Sequence, residues 1–349
     1  MSERSADAVL EALGWGPDFA QAFAASAATG DWPGRVSRMD RGGWLTVETA
    51  QGTQRARQHA RFRRVASALE AATVGDWVVV RADTGGGPPV AEAVLPRRTV
   101  FVRNTGDDER ATPQPLAANV DSVLIVVSLA VEYNARRTDR LLSLAWASGA
   151  EPVMVLTKAD LAADLAAALA AVHDHVVGAQ VVALSARTGQ GLEGLEHHLA
   201  RGKTVVLIGQ SGAGKSTLAN RLSGGTLAAQ EVRKDGKGRH TTSHRELLRL
   251  PGGALLIDTP GLRSVGLWEP SDSLDDGAFS DVETLAEQCR FSDCAHEGEP
   301  GCAVQEALDA GTLSQQRWES YRTLRAEADQ VSRAREIAAR VQRSGRRRR

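Results

Sequence analysis

The stretch that decides the fold is TVVLIGQSGAGKSTLANRL, residues 204–222. An apolar run leads into the pattern G-x-x-x-x-G-K-S, and a helix-compatible run follows it, which predicts a strand, a phosphate-binding loop and a helix. Backbone N–H groups of such a loop surround phosphates, the Lys reaches the β and γ oxygens, and the Ser hydroxyl binds Mg²⁺. The residues assigned here to nucleotide binding are Gly209, Gln210, Ser211, Gly212, Ala213, Gly214, Lys215, Ser216 and Thr217.

A second phosphate-site segment follows the apolar run at 254–257. It reads Asp258-Thr259-Pro260-Gly261, where the carboxylate is placed to hold Mg²⁺ through water and the Gly261 N–H can approach a γ-phosphate. Between the two motifs lies the polar stretch His240-Thr241-Thr242, in which a Thr is the expected second hydroxyl on Mg²⁺; we favour Thr242. We therefore expect Ser216, Thr242 and Asp258 to hold the magnesium, in a segment that orders when nucleotide and metal bind.

Base choice is predicted by two further loops. Thr157-Lys158-Ala159-Asp160 follows an apolar strand and is similar to the guanine motif N-K-x-D, whose carboxylate accepts two hydrogen bonds from the guanine edge. Ser185-Ala186-Arg187 resembles the S-A-K loop, whose backbone N–H meets guanine O6. Adenine offers no such pair of donors to Asp160, which favours GTP over ATP. Thr157 stands in place of the usual Asn, so we expect the loss of an amide that braces the pocket.

The order of these motifs is unusual, because the base motifs precede the phosphate loop. The sheet is the same if the chain has been circularly permuted. The predicted strands are 123–127, 153–156, 181–184, 205–208, 247–250 and 254–257, and helices are predicted at 137–147 and 161–172. Continuous apolar strands that alternate with helices predict a mainly parallel sheet covered on both faces.

The flanking segments differ from this centre. Residues 35–103 contain short alternating runs between glycine turns and 12 Arg against six acidic residues, which predicts a small basic β-barrel such as an OB-fold. Residues 1–30 show helical spacing and are expected to be an appendage. The segment beyond residue 270 carries all three cysteines, at Cys289, Cys294 and Cys302, and ends in a predicted polar helix at 315–341 with a basic tail. Cysteines clustered in one short segment favour a metal site over a disulfide, and an odd number of them leaves one thiol unpaired in any disulfide scheme.

Composition limits the classes of function. The 349 residues carry 42 basic and 43 acidic side chains, so there is no global bias toward polyanions, although the barrel segment and the tail at 333–349 are locally basic. Such segments commonly face nucleic acid, and a solvated surface is the alternative. The longest apolar run, at 120–131, is too short for a membrane span, and the acidic N-terminus does not read as a signal peptide. We expect a cytoplasmic protein without a membrane partner.

The permuted motif order, the basic barrel in front and the Cys/His cluster behind resemble the ribosome small-subunit-dependent GTPase A (RsgA) family over nearly the whole chain. Further matching residues are Gly75 to Val78, Leu95 to Arg98 and Gly266 to Trp268. The resemblance implies an N-terminal extension (1–33), an OB-fold that binds RNA (34–103), a circularly permuted GTPase domain (104–268) and a helical zinc domain with a basic tail (269–349).

The resemblance also implies function. The cofactors are GTP or GDP, Mg²⁺ and Zn²⁺, the partner is the small ribosomal subunit with its rRNA, and we expect a monomer. Cys289, Cys294, His296 and Cys302 form a closed Cys₃His ligand set for structural zinc. Leu262 occupies the place of the water-orienting Gln of Ras-like enzymes, so intrinsic hydrolysis should be slow. Lys215, Thr242 and His240 are the expected catalytic residues, with His240 positioning the attacking water or remaining a solvated loop residue.

Two rival functions remain open on the sequence alone. One is an RNA-binding module in which the nucleotide serves only as a structural cofactor. The other is an ATPase, which Asp160 argues against.

Overall fold

A computed structural model describes residues 3–40, 42–59, 70–105, 112–131, 133–173, 176, 178–225, 245–258, 279–291, 293–315, 317–319, 321–322 and 325. Within these ranges, no helix is both long enough and apolar enough to span a membrane.

Five strands near the N-terminus form a closed barrel. They are β1 (Trp32–Asp40), β2 (Trp44–Thr49), β3 (Gly52–Gln58), β4 (Trp77–Arg81) and β5 (Val90–Val94). β1 pairs with both β2 and β4, β2 pairs with β3, β4 pairs with β5, and β3 runs parallel to β5. Alternate residues of β2 point inward, where Leu45 and Val47 pack with Val36 and Val78. This closure confirms the predicted small barrel.

The centre of the chain forms a mainly parallel sheet in the order β10-β9-β8-β11-β13-β12. Its strands are β8 (Ser122–Ser128), β9 (Glu151–Thr157), β10 (Gln180–Ala183), β11 (Thr204–Gly209), β12 (Glu246–Arg249) and β13 (Leu255–Asp258). Only β12 runs antiparallel to its neighbour β13. β11 lies in the middle between β8 and β13, although β8 to β10 precede it in the chain. The sheet therefore confirms the predicted fold with its permuted order.

Helices α3 (Ala135–Ala147), α4 (Leu165–His173) and α5 (Lys215–Leu222) connect these strands. The Asn134 side chain caps α3 by accepting a hydrogen bond from the Arg137 N–H at 3.0 Å. The helix predicted from residue 161 begins later, at Leu165, because Lys158 adopts a left-handed φ of 60° and residues 159–161 form a separate 3₁₀ turn. Two strands, β6 (Val100–Thr105) and β7 (Thr112–Ala118), form a hairpin between barrel and sheet.

The N-terminal helices α1 (Glu3–Glu11) and α2 (Pro17–Ser26) are not an appendage. Phe19 is buried, and its ring lies 5.9 Å from that of Trp77 at the start of β4. Arg35 of β1 is 1% exposed and donates to the carbonyls of Leu13, Gly75 and Asn119. Burial lowers the pKa of Arg35 to about 10. One side chain thus joins the N-terminal segment, the barrel and the entry to the central sheet.

The C-terminal segment contains α6 (Ser280–Glu287) and α7 (Ala303–Asp309), and residues 315, 317–319, 321–322 and 325 are also helical. The remainder of the predicted helix at 315–341 and the arginine tail lie outside the described residues.

Candidate functional site

The phosphate loop is formed by backbone conformations that glycine favours. Gly209, Gly212 and Gly214 have φ values of 138°, 79° and 98°. A Cβ on Gly209 would lie 2.2 Å from the carbonyl oxygen of Val126 on β8, so only glycine fits between these strands. The loop ends at the N-terminus of α5, where free N–H groups and the helix dipole favour phosphate.

Lys215 is buried at the start of α5 and turns back over the loop. Its Nζ donates to the carbonyl of Gly209 at 2.6 Å and to that of Gln210. Ser216 and Thr217 follow in the first turn and are exposed. These residues line a cleft of about 950 Å³ together with Gln210, Ser211, Gly212, Gly214 and Lys158. The cleft provides room and donors for a nucleotide polyphosphate.

The base motif is hydrogen-bonded to the phosphate loop. Thr157 ends β9, and its hydroxyl lies 2.5 Å from the carbonyl oxygen of Ala213 and 3.2 Å from that of Val127. The Lys158 ammonium donates to the carbonyl of Gly212 at 3.0 Å. Thr157 lacks the amide of the usual Asn, and its hydroxyl makes a contact of its own with the phosphate loop. Asp160 is exposed in the turn that follows.

The second base loop lies beside the first. The Ala159 N–H donates to the carbonyl of Leu184, which directly precedes Ser185. The loop is closed by the Ser185 N–H donating to the Gln190 carbonyl and by the Ser185 hydroxyl accepting from the Thr188 N–H at 3.2 Å. Ala186 is half-buried in this loop and Arg187 is exposed. The structure thus brings both predicted base loops to one edge of the sheet.

Several predicted residues fall outside this description. Asp258 is described only as the last residue of β13, paired in register with Glu246. Thr241, Thr242, His240, Gly261 and Leu262 lie outside the described residues. Their assignments remain predictions.

Sequence reasoning missed a third wall of the cleft. This wall is formed by four residues of α3 that belong to no motif identified in the sequence: Arg137, Arg140, Leu141 and Leu144. Their spacing of i, i+3, i+4 and i+7 places all four on one face of the helix, which is the signal that would have identified them.

The four predicted metal ligands come together in the C-terminal segment. The donor atoms of Cys289, Cys294, His296 and Cys302 all lie within 4.8 Å of one another. The sulfurs of Cys289 and Cys302 are 3.9 Å apart, and each lies 3.5 Å from Nδ1 of His296. A tetrahedral zinc with Zn–S bonds of ~2.3 Å and Zn–N bonds of ~2.0 Å requires separations of ~3.5 to 3.8 Å between such ligands. The donor set and its spacing fit zinc.

The thiols of this cluster perturb one another. Burial raises the pKa of Cys289, but hydrogen bonds from the backbone of Val304 and Ala303 and from the thiols of Cys302 and Cys294 hold it below its ordinary value. The pKa of Cys294 rises to about 11, mainly through burial, with Cys302 and Cys289 adding to the shift. Thiols this close do not all lose their protons unless a cation compensates the charge.

Comparisons with known proteins agree with this geometry. The family model for RsgA GTPase matches residues 94–268. The protein from Streptomyces coelicolor named small ribosomal subunit biogenesis GTPase RsgA is 48% identical over 335 residues, covering 95% of this chain and 89% of that protein. A protein of the same name from Opitutus terrae is 44% identical over 335 residues, covering 91% and 89%. The chain belongs to the RsgA GTPase family.

Solved structures support the fold of this RsgA family member. The crystal structure of YjeQ from Thermotoga maritima has a TM-score of 0.65 and 28% identity, covering 85% of this chain and 98% of that one. YloQ, described as a circularly permuted GTPase, has a TM-score of 0.61 and 25% identity, covering 87% and 98%. The permutation inferred from motif order thus agrees with the description of YloQ.

Membership of the RsgA family makes the chain a GTP-hydrolysing enzyme. GTP and GDP are its nucleotides, and Mg²⁺ is the ion that such enzymes use. The positive φ values of the loop glycines fit a loop that surrounds phosphates, and the exposed Ser216 fits a residue that binds Mg²⁺.

Proposed function

We propose that this GTPase acts in late maturation of the small ribosomal subunit and that the subunit stimulates its activity. The observation that carries the proposal is the nucleotide site itself, in which a base motif is hydrogen-bonded to a phosphate loop in permuted order, between a basic barrel and a metal-binding segment. The choice of the small subunit rests on the names of the relatives, which are called small ribosomal subunit biogenesis GTPases. The proposed location of the enzyme is the cytoplasm, where it acts as a monomer.

The described residues divide the binding of GTP between them. Loop N–H groups between Gly209 and Ser216 hold the phosphates, and the Lys215 ammonium leaves its carbonyl partners for the β and γ oxygens. Asp160 reads the guanine edge, and the loop at 185–187 presents a backbone N–H to its O6. Thr157 keeps the two loops in register through Ala213.

The hydrolytic roles rest on sequence positions. Ser216, Thr242 and Asp258 would hold Mg²⁺, which would withdraw charge from the phosphates, and the Gly261 N–H would donate to the γ-phosphate. His240 positions the attacking water, because Leu262 has no polar group to do so.

The Cys₃His cluster holds a structural zinc. With four protein ligands the coordination shell is closed, so the ion has no position for a reacting water. Its role is to fold the segment between α6 and α7, where the buried Cys302 also caps α7 by accepting from the Gln305 N–H.

The barrel supplies the rRNA-binding surface. Arg55 and Arg57 are exposed on the outer face of β3, with guanidinium carbons 4.4 and 5.8 Å from the ring centre of Trp44. Such an aromatic and cationic face suits phosphates and unpaired bases. Arg61, Arg63 and Arg64 continue this basic sequence, and Arg346 to Arg349 add a second basic segment; both lie outside the described residues.

The test is the affinity for isolated small subunits with GDP and with a non-hydrolysable GTP analogue, measured across a salt series. We expect tighter binding with the analogue, because hydrolysis is proposed to release the enzyme. Tighter binding with GDP would overturn that cycle. Equal binding in both states would favour the rival function, an RNA-binding module with a passive nucleotide, and equal competition by ATP and GTP would revive the ATPase.

A further inference from the structure

Helix α3 presents two cations to the nucleotide cleft. Arg137 and Arg140 line it with Leu141 and Leu144, on the face opposite the buried positions Thr138 and Asp139. Arg140 is half-buried, whereas Arg137 is exposed. No motif of the GTPase uses either arginine.

The topology puts these arginines on the phosphate side. β8 and β11 are parallel neighbours, with Val126 in register with Gly209, and α3 begins just beyond the carboxyl end of β8. The phosphate loop begins at the same edge. The described lining of the cleft runs from Gly209 to Thr217 and includes Lys158, but it includes neither Asp160 nor the loop at 185–187. Arg140 therefore lines the same cleft as the phosphate loop.

The opposite face of α3 is anchored to the metal-binding segment. Asp139 is 1% exposed and forms an ion pair with Arg317 at 2.9 Å. Arg317 is itself 3% exposed, pairs with Asp281 of α6 at 2.9 Å, and lies 4.2 Å above the ring centre of Phe279. The next residue, Trp318, packs edge-on against the metal ligand His296 at 5.5 Å. We call the Asp139–Arg317–Asp281 set the α3 latch.

We propose that Arg140 contacts the phosphates of GTP during hydrolysis, and that the α3 latch positions it. Charge builds on the γ-phosphate oxygens during hydrolysis, and a preorganised cationic donor beside the phosphate loop stabilises that charge. A guanidinium on a rigid helix supplies such a donor without being brought by a second protein. Arg317 and Asp139 are positioning residues, since they reach the cleft only through α3.

The direct test compares Arg140→Ala with Arg136→Ala, an exposed arginine of the same helix that is not part of the cleft lining. We expect Arg140→Ala to slow single-turnover GTP hydrolysis at least about tenfold, while GDP affinity changes less than about threefold. Millimolar guanidinium should restore part of the lost rate, and Arg136→Ala should hydrolyse GTP as the parent does. A parent-like rate in Arg140→Ala would overturn the phosphate contact.

The latch is tested by a double-mutant cycle with Asp139→Asn and Arg317→Gln, each checked for zinc content and thermal unfolding. If the latch acts through Arg140, each variant slows hydrolysis, but combining it with Arg140→Ala gives no further loss. Rates that multiply independently would contradict positioning through Arg140. Should Arg317→Gln unfold, Asp139→Asn decides alone, because it keeps the side-chain volume and one hydrogen-bonding oxygen.

Discussion

At the scale of single residues, the nucleotide site combines local backbone conformations with hydrogen bonds between residues far apart in the sequence. The glycine conformations at 209, 212 and 214 follow from the local pattern G-x-x-x-x-G. The hydrogen bond from Thr157 to Ala213 joins residues 56 positions apart, and no local pattern encodes it. The same holds for Arg317 and Asp139, which meet across 178 positions.

Asp160 gives the first prediction at this scale. Asp160→Asn replaces a carboxylate that accepts two hydrogen bonds with an amide that offers one acceptor and one donor group, so preference for GTP over xanthosine triphosphate should fall at least about tenfold. Competition binding with the two nucleotides measures it. Asp164→Asn, at the residue that directly precedes α4, is the matched control and should keep GTP preference. Unchanged selectivity in Asp160→Asn would refute the base assignment.

His198 gives a pH-dependent prediction. Its Nε2 lies 2.8 Å from the Gln180 side-chain oxygen, its Nδ1 lies 2.9 Å from the Ser122 hydroxyl, and the side chain is buried. Burial lowers the pKa of His198, although Glu151 opposes the shift. A lowered histidine pKa stabilises the fold above the unfolded pKa of about 6.5, and that stability is lost as the pH falls through the folded pKa.

The measurement is urea unfolding at pH 7.5 and 5.5 for the parent, His198→Gln and His173→Gln, the last an exposed histidine at the end of α4. The parent and His173→Gln should lose more stability on acidification than His198→Gln does. Identical losses in all three proteins would show that His198 does not titrate on unfolding.

At the scale of elements, the apolar pattern of each strand predicts how it is buried. Alternating apolar residues predict the barrel, whose strands are buried on one face, and continuous apolar runs predict the parallel sheet, whose strands are buried on both. The apolar pattern does not locate the start of a helix where a single residue departs from helical conformation, as Lys158 does before α4. The packing of α1 and α2 could not be predicted, because their spacing shows helix but not what Phe19 touches. Only the fold brings Trp77 to it.

The metal loop between α6 and α7 gives the element-scale prediction. Among its described residues only Cys302 is buried, so zinc should be needed to fold it. Cys302→Ser should lower zinc from one equivalent per chain to well below it and should expose the loop to proteolysis. Asp293→Asn, an exposed carboxylate in the same loop, should retain zinc. A parent chain purified without chelators that contains no zinc, while the loop resists protease, would contradict this account.

At the scale of the whole molecule, we predict that the basic face of the barrel contributes more to small-subunit affinity than the arginine tail does. Replacing Arg55 and Arg57 by Gln should lower small-subunit affinity and reduce the slope of log K against log salt by roughly 0.7 to 0.9 per lost phosphate contact. Intrinsic GTP hydrolysis should not change, because the nucleotide residues lie elsewhere. Deleting Arg346 to Arg349 removes twice the charge but should cost less affinity, since this run has no aromatic side chain to stack on bases as Trp44 can beside Arg55. A larger loss from the deletion would reverse this ranking.

The central claim is that the nucleotide site is coupled to the small ribosomal subunit. The most direct measurement is steady-state GTP hydrolysis by the full chain alone, with purified small subunits and with large subunits as the control, alongside Ser216→Ala, which lacks the predicted magnesium hydroxyl. We predict acceleration of about tenfold or more with small subunits only, and near-background turnover by Ser216→Ala in every mixture. Hydrolysis that is no faster with small subunits than without them would contradict the account.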